Sequence, residues 1–250
     1  MTNHPTQVIF DRWDTYVVVT DEGPVFVSFD EGATEEDLTG TLPCCARVII
    51  PIHHPNKAGG PVHPENERLW TMEDQLCASL SEAGVTCRLV GRLTYGGRRE
   101  LVFQLADRDA FRPPVGFWMA QNPDYEMDFL EHDGWEFFDT FLRPTPEQRL
   151  AMADGRVIEG LIEAGSDPEK PHVLEFVFCG DATGLHRLAD ALAARAYRPA
   201  LPLEFASGQI VMFKEMTLDA SAILGESIAH RQLAAECGVE YDGWGAAVVK

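Results

Sequence analysis

The run HVLEFVFC (172–179), followed by a helix start at Asp181 and by GQIVMFKEM (208–216), decides the fold of half of this chain. A mostly apolar run of strand length, rich in β-branched and aromatic residues and bounded by turn residues, predicts a buried strand. Asp181 then caps a helix whose Leu185, Leu188, Leu192 and Ala196 recur every three or four residues and so share one face. The segment 197–205 holds Pro199 and Pro202, which cannot donate to a ladder and confine it to a sheet edge. Residues 208–216 pair with it as a hairpin. Asp219 caps a last helix that Gly238 stops in the left-handed conformation. A short strand is expected at 246–249.

Upstream, Thr145-Pro146-Glu147-Gln148 is a helix start. Threonine caps, proline fits the first helical position, and glutamine completes a capping box. The stripe Leu150, Ala153, Val157, Leu161 and Ala164 runs from there to Gly165. The order is helix, strand, helix, strand, strand, helix. That is the split β-α-β pattern of a ferredoxin-like sandwich.

The proline-bearing stretch 139–148 reads as a junction, giving domains at 1–138 and 139–250. The first half is rich in strands. TYVVVT (15–20) and PVFVSF (24–29) form a hairpin across Asp21-Glu22-Gly23. ARVIIPI (46–52) is a third strand, with Pro51 at an edge or bulge. Residues 67–83 place Leu69, Met72, Leu76, Leu80 and Ala83 on one helix face. Strands 88–95 and 98–105 flank Gly96-Gly97, the strongest hairpin signal in the chain. Residues 115–119 predict another strand. Tyr125, Met127 and Phe129 alternate with Asp124, Glu126 and Asp128, which predicts a half-buried strand with an acidic outer side. The expected class is α+β in two domains, the first a mainly antiparallel sheet with one long helix.

Charge narrows the function. The 250 residues carry 20 Lys and Arg against 40 Asp and Glu, a formal charge of −20. Residues 1–138 hold 10 basic and 23 acidic side chains and 139–250 hold 10 and 17, so acidity belongs to both halves. Nucleic acid and anionic membranes both recruit Lys and Arg, so neither is an expected partner. A basic segment of another protein is favoured. Residues 1–5 do not read as a signal peptide, and no apolar window is long enough to span a bilayer. Six cysteines without a C-x-x-C pair read as reduced thiols in a cytoplasmic protein.

Catalytic signatures are sparse. The Gly59-Gly60 and Gly96-Gly97 pairs match no phosphate-cradling motif, and no nucleophile elbow occurs. His53, His54 and His63, with Glu65, crowd one loop and constitute a weak metal site for a small metal-dependent enzyme. Adjacent histidines on an extended chain diverge, however, and a solvated polar loop explains them as well. Asp124, Glu126 and Asp128 suit either a solvated edge or a basic partner. Arg88, Arg92, Arg98 and Arg99 form the one basic cluster, read first as neutralising nearby acids and second as an anion site. In Glu240-Tyr-Asp-Gly-Trp-Gly245, Tyr241 and Trp244 are either lids on the core or anchors for a partner.

The Thr145-Pro146 helix start, the 197–216 hairpin, the Asp219 helix and the closing Tyr241-Asp242-Gly243-Trp244 together resemble the regulator of ribonuclease E activity B (RraB) family over 139–250. The first half resembles a bacterial domain of unknown function found fused ahead of RraB-type domains. The resemblance rests on Trp13-Asp14 with Tyr16, His54-Pro55-Asn56, the 91–100 hairpin and Tyr125-Glu126-Met127-Asp128. It implies an acidic, non-enzymatic bacterial protein that binds an RNA-degrading enzyme and restrains it, with no catalytic residue and no cofactor. Asp124, Glu126, Asp128, Tyr241, Asp242 and Trp244 are the candidate contacts. A homo-oligomer of purely structural role is a further reading.

Overall fold

The computed structural model describes residues 12–35, 38–200 and 205–250. Residues 1–5, read above for a signal segment, and 201–204 of the expected edge strand lie outside them. The chain divides into two compact units, Met1–Arg143 and Pro144–Lys250.

The first unit is built from β1 (Trp13–Thr20), β2 (Gly23–Asp30), α1 (Glu31–Glu35), β3 (Cys44–Pro51), α2 (Glu65–Glu82), β4 (Cys87–Tyr95), β5 (Arg98–Leu105), α3 (Arg108–Gln121), β6 (Asp128–Asp133) and α4 (Glu136–Phe141). Its six strands lie in the order β1-β2-β4-β5-β3-β6, and every pairing is antiparallel. Gly96 and Gly97 both take positive φ (54° and 77°), which the tight β4–β5 turn requires. Alternation puts Ala46, Val48 and Ile50 of β3 and Leu101, Phe103 and Leu105 of β5 in one buried cluster. Leu69, Met72 and Leu76 of α2 and Phe111, Val115 and Trp118 of α3 complete it.

Residues 115–119 are therefore helical rather than extended. Asp107 caps α3 by accepting from the Asp109 N–H, and the true period is Phe111, Val115, Trp118. The consecutive Pro113 and Pro114 disguised it. The acidic ladder is also shorter than expected. Tyr125 and Met127 lie in tight turns, with their N–H groups donating to Asn122 and Tyr125, and only Asp128 belongs to β6. Pro51 ends β3 where β6 no longer pairs, since the last β3–β6 partners are Ile49 and Asp128.

The second unit contains α5 (Pro146–Glu163), β7 (His172–Cys179), α6 (Ala182–Ala193), β8 (Arg198–Pro199), β9 (Gln209–Met216), α7 (Ala220–Cys237) and β10 (Glu240–Ala246). The strand order β10-β7-β9-β8, antiparallel throughout, is the ferredoxin-like arrangement, with α5 added ahead of it. The Thr145 capping box is present in full. Asp181 and Asp219 accept from the Gly184 and Ala222 N–H groups, and Gly238 is left-handed at φ 69°. The last strand lies at 240–246, earlier than the 246–249 read from sequence, because Gly243 and Gly245 sit in the strand. A bulge falls between Tyr241 and Gly243, where φ is 106°.

Helix α6 is seated by close approach. A Cβ at Gly184 would fall 2.6 Å from the Cys237 carbonyl oxygen and 2.6 Å from Val239 Cγ1. Gly184→Ala should therefore destabilise the protein by about 1–3 kcal/mol in urea unfolding. Gly225 on α7 has open space around it, and Gly225→Ala should instead add about 0.5–1 kcal/mol through helix propensity.

Candidate functional site

All three long helices of the second unit join one face of its sheet. Leu174, Phe176 and Phe178 of β7, Ile210 and Met212 of β9 and Trp244 of β10 are buried there. Ile158 and Leu161 of α5, Leu185 and Leu188 of α6, and Ile223 and Leu233 of α7 close the cluster. Alternation then turns Val173, Glu175, Val177 and Cys179 of β7 to the opposite face. The register aligns Glu240, Cys179 and Gln209 in one row and Gly243, Val177 and Val211 in the next. Gly245, Glu175, Phe213 and Arg198 form a third row, and Val173 faces Glu215. None of the unit's three long helices packs on this outer face. Its centre is apolar, with Val173 47% exposed and Val177, Val211 and Phe213 half-buried. Around that strip stand the exposed carboxylates Glu175, Glu215 and Glu240, with Arg198 the one cation in these rows.

Beneath the sheet lies a polar layer. Trp244 Nε1 donates to Asp154 Oδ1 at 2.8 Å, and Ser227 Oγ donates to the same oxygen at 3.1 Å. The Ser227 and Tyr241 hydroxyls are 3.2 Å apart. Tyr197 and Lys214 both donate to the Glu226 carboxylate. His230, 1% exposed, sits among the rings of Phe176, Phe178, Tyr197 and Tyr241 at centroid distances of 4.5–5.4 Å. Neither of its ring nitrogens has a hydrogen-bond partner among the described residues, and Nε2 stands 3.9 Å from Glu226 Oε2.

The electrostatics follow from this burial. His230 is pulled down to about 4, chiefly by burial, with Lys214 and Arg195 adding to the effect and Glu226 opposing it. Burial raises Asp154 against the lowering effect of its Trp244 and Ser227 bonds, and it pushes the Tyr197 and Tyr241 hydroxyls up. Burial would also raise Glu226, but the bonds from Lys214 and Tyr197 outweigh it and hold this carboxyl low. Groups arranged this way clamp α5, α7 and β10 together. They hold no base aimed at a free nucleophile.

The sequence-derived candidates fall in several places. Trp244 (8% exposed) and Tyr241 point into the core and support the outer face from behind, whereas Asp242 is exposed beside the bulge. Asp124, Glu126 and Asp128 are all exposed on the first unit, and Asp128 accepts from the Phe129 N–H at 2.8 Å. The three imidazoles of the loop do not converge. His53 stacks on Tyr125 at 4.2 Å, His54 is 6.5 Å from His53 and nearly perpendicular to it, and His63 approaches Glu67 at 3.5 Å. Glu65 accepts instead from the His53 and His54 backbone N–H groups at 2.6 and 2.9 Å. Among the described residues no group of three or more His, Cys, Asp or Glu could hold a metal ion. Burial pushes the Cys45 and Cys87 thiols up to about 11 and Cys77 up to about 12, so these remain protonated. Glu175, Glu215 and Glu240, along with Asp154, Tyr197, Lys214, Glu226, Ser227 and His230 of the polar layer, were not singled out from sequence, whereas Tyr241 and Trp244 were. The interruption of the apolar run 172–179 by Glu175 was the signal available.

His230 makes a pH prediction. Its folded value lies below the ordinary 6.5, so the unfolded chain takes up a proton that the folded chain refuses, and stability falls as pH drops from about 6.5 towards about 4. His230→Phe should remove that component, whose slope is at most ~1.4 kcal/mol per pH unit. Urea unfolding of both proteins across this range checks it. Asp154, raised rather than lowered, acts in the opposite direction in both proteins and cancels in the comparison.

The chain matches two family models, the family of unknown function DUF695 over residues 11–143 and regulator of ribonuclease activity B over residues 151–246. A regulator of ribonuclease activity B from Pseudoalteromonas translucida (strain TAC 125) is 35% identical over 96 residues, covering 36% of this chain and 86% of that protein. Those from Pseudoalteromonas atlantica (strain T6c / ATCC BAA-1087) and Psychromonas ingrahamii (strain DSM 17664 / CCUG 51855 / 37) are 32% and 30% identical. They cover 35% and 36% of this chain and 81% and 79% of their own lengths. A ferredoxin-like unit of this sequence, joined to a six-stranded unit, places the chain in the regulator of ribonuclease activity B family at its C-terminal end and in the DUF695 family at its N-terminal end.

Proposed function

We propose that this protein regulates a ribonuclease of the RNase E kind by binding it, without catalysis and without a cofactor, and that a basic segment of the enzyme lies on the outer face of the β10-β7-β9-β8 sheet. The observation that carries this reading is the apolar strip Val173, Val177, Val211 and Phe213, edged by exposed Glu175, Glu215 and Glu240. An arginine- or lysine-rich segment with interspersed apolar residues matches such a face in both charge and hydrophobicity. Its long aliphatic stems would cover the strip while its charged ends meet the carboxylates. Asp242 at the bulge extends the acidic rim, and Asp124, Glu126 and Asp128 add to the long-range field that steers a cation in. Tyr241 and Trp244 contribute from behind by fixing β10. No helix among the described residues is long and apolar enough to cross a membrane, and we place the encounter in the bacterial cytoplasm.

The test is the triple variant Glu175→Lys/Glu215→Lys/Glu240→Lys in the full chain, titrated against an RNase E-type endoribonuclease at low and moderate salt. Binding should weaken about tenfold or more at low salt, consistent with rim charges each worth a fraction of a kcal/mol to about one. The salt dependence of the variant should be flatter than that of the wild type. Unchanged affinity in the triple variant would remove the sheet face from the proposal. A wild-type protein that binds no such enzyme but sediments as a dimer would favour a second copy as occupant.

A further inference from the structure

The basic cluster of the first unit is nearly all neutralised. Arg88 pairs with Asp30 at 2.5 Å, Arg98 lies 3.3 Å from Glu100, and Arg47 donates to Glu100 through Nε at 2.9 Å. Arg92 donates to Glu73 through both Nε and Nη2. Arg99 is different. It is 6% exposed, and its one hydrogen bond among the described residues is a long 3.4 Å contact from Nε to Thr94 Oγ1. Its Nη1 is buried with no partner.

The register explains where this group points. Thr94 faces Arg99 across the β4–β5 ladder and Arg92 faces Leu101, so all of these side chains lie on the side covered by α2. There Trp70 of α2 covers both arginines, with its ring centroid 4.7 Å from Arg99 Cζ and 5.0 Å from Arg92 Cζ. Trp13 stacks on Arg92 from another side at 3.8 Å. Glu73, also buried, is the carboxylate of this group. Two guanidinium groups thus share one acid, in a chain that otherwise carries a charge of −20. An unpaired charge out of water is strongly unfavourable, and arginine does not relieve it by losing its proton. With acidic residues in such excess, a purely structural arginine here would have been matched by a second one.

We propose that Arg99, with Arg92 and Thr94 beneath the indole of Trp70, forms a binding site for a small oxyanion, a carboxylate or a phosphate. Arg99 Nη1 donates to the ligand, the Thr94 hydroxyl is a second donor, and Arg92 takes up the Glu73 carboxylate, which leaves the Arg99 charge for the ligand. Guanidinium groups suit such oxygens because their N–H groups present a planar fork. Trp70 is 44% exposed, so it is the flap that must swing for a ligand to reach Nη1. The site is independent of the docking proposal above.

The test follows thermal unfolding and tryptophan fluorescence of the full chain as inorganic phosphate or acetate replaces chloride at fixed ionic strength. The wild type should show a saturable rise in Tm and a saturable change in emission with at least one of the two anions, and the responding arm identifies the oxyanion class. Trp70→Phe should lose the emission change while keeping the Tm response. Arg99→Lys should bind about tenfold more weakly. Arg99→Met should not respond, and without added anion it should unfold at or above the wild-type temperature, since it removes an unpaired buried charge. If Arg99→Met does not fold, Thr94→Val takes its place and should weaken the response severalfold. No response to either anion beyond chloride overturns the proposal. So does an Arg99→Met protein that responds as the wild type does.

Discussion

Strand β7 is the constraint on which the second unit depends. It pairs with β9 residue for residue on one side and with β10, across the bulge at Asp242, on the other, so its alternation fixes which side chains its neighbours send inward. Leu174, Phe176 and Phe178 commit one face to the helices. The crossovers through α6 and α7 then fall on that same side, because a right-twisted strand feeding a helix returns to the sheet in one hand. Among the described residues of this unit neither crossover helix lies on the outer face, as a consequence of topology. A one-residue slip in β7 would exchange Phe176 for Glu175 in the core. The polarity of the open face and the identity of the core are thus set by a single choice of register.

That choice was legible because it is local. The apolar run 172–179, the three side-chain caps at Thr145, Asp181 and Asp219, and the left-handed Gly238 are short-range signals, and each lies where the chain needs it. The failures share a physical cause too. Residues 115–119 are apolar and follow two prolines, so the segment reads as a strand unless the period is counted from the cap at Asp107. Residues 124–127 alternate in polarity yet fold as tight turns, because alternation over so few residues cannot separate a strand from a turn that leaves its acids in water. The last strand is expected at 246–249 but lies at 240–246, because Gly243 occupies a bulge and Gly245 sits across from Glu175 within the ladder.

The polar layer was beyond the reach of sequence for another reason. Asp154, Ser227, Tyr241 and Trp244 come from α5, α7 and β10, up to 90 residues apart, and no spacing rule joins them. Tyr241 and Trp244 stand out in their own segment, but Asp154 and Ser227 do not. Only the fold brings a carboxylate under an indole N–H and a serine hydroxyl, and there burial raises its proton affinity against the lowering effect of those two bonds. The loop histidines show the converse. Proximity in sequence suggested a metal site, but the carboxylate that would have completed it, Glu65, accepts from the backbone of the same loop.

The charge of the whole chain takes on a more specific meaning against this background. In the first unit Arg47, Arg88, Arg92, Arg98, Arg108 and Arg112 each lie against a carboxylate of the same unit. Cations paired in this way do not gather counterions or meet a phosphate backbone, so these six do not offset the acids exposed elsewhere on the surface. The acids left over are those on exposed positions, such as Asp124, Glu126 and Asp128 in one unit and Glu175, Glu215 and Glu240 in the other. A surface of that kind repels RNA. Under the function proposed above, such a surface favours contact with the enzyme over contact with its RNA. A basic segment, the partner in that proposal, would have to choose between the two, because the same cations cannot neutralise a phosphate and a carboxylate at once.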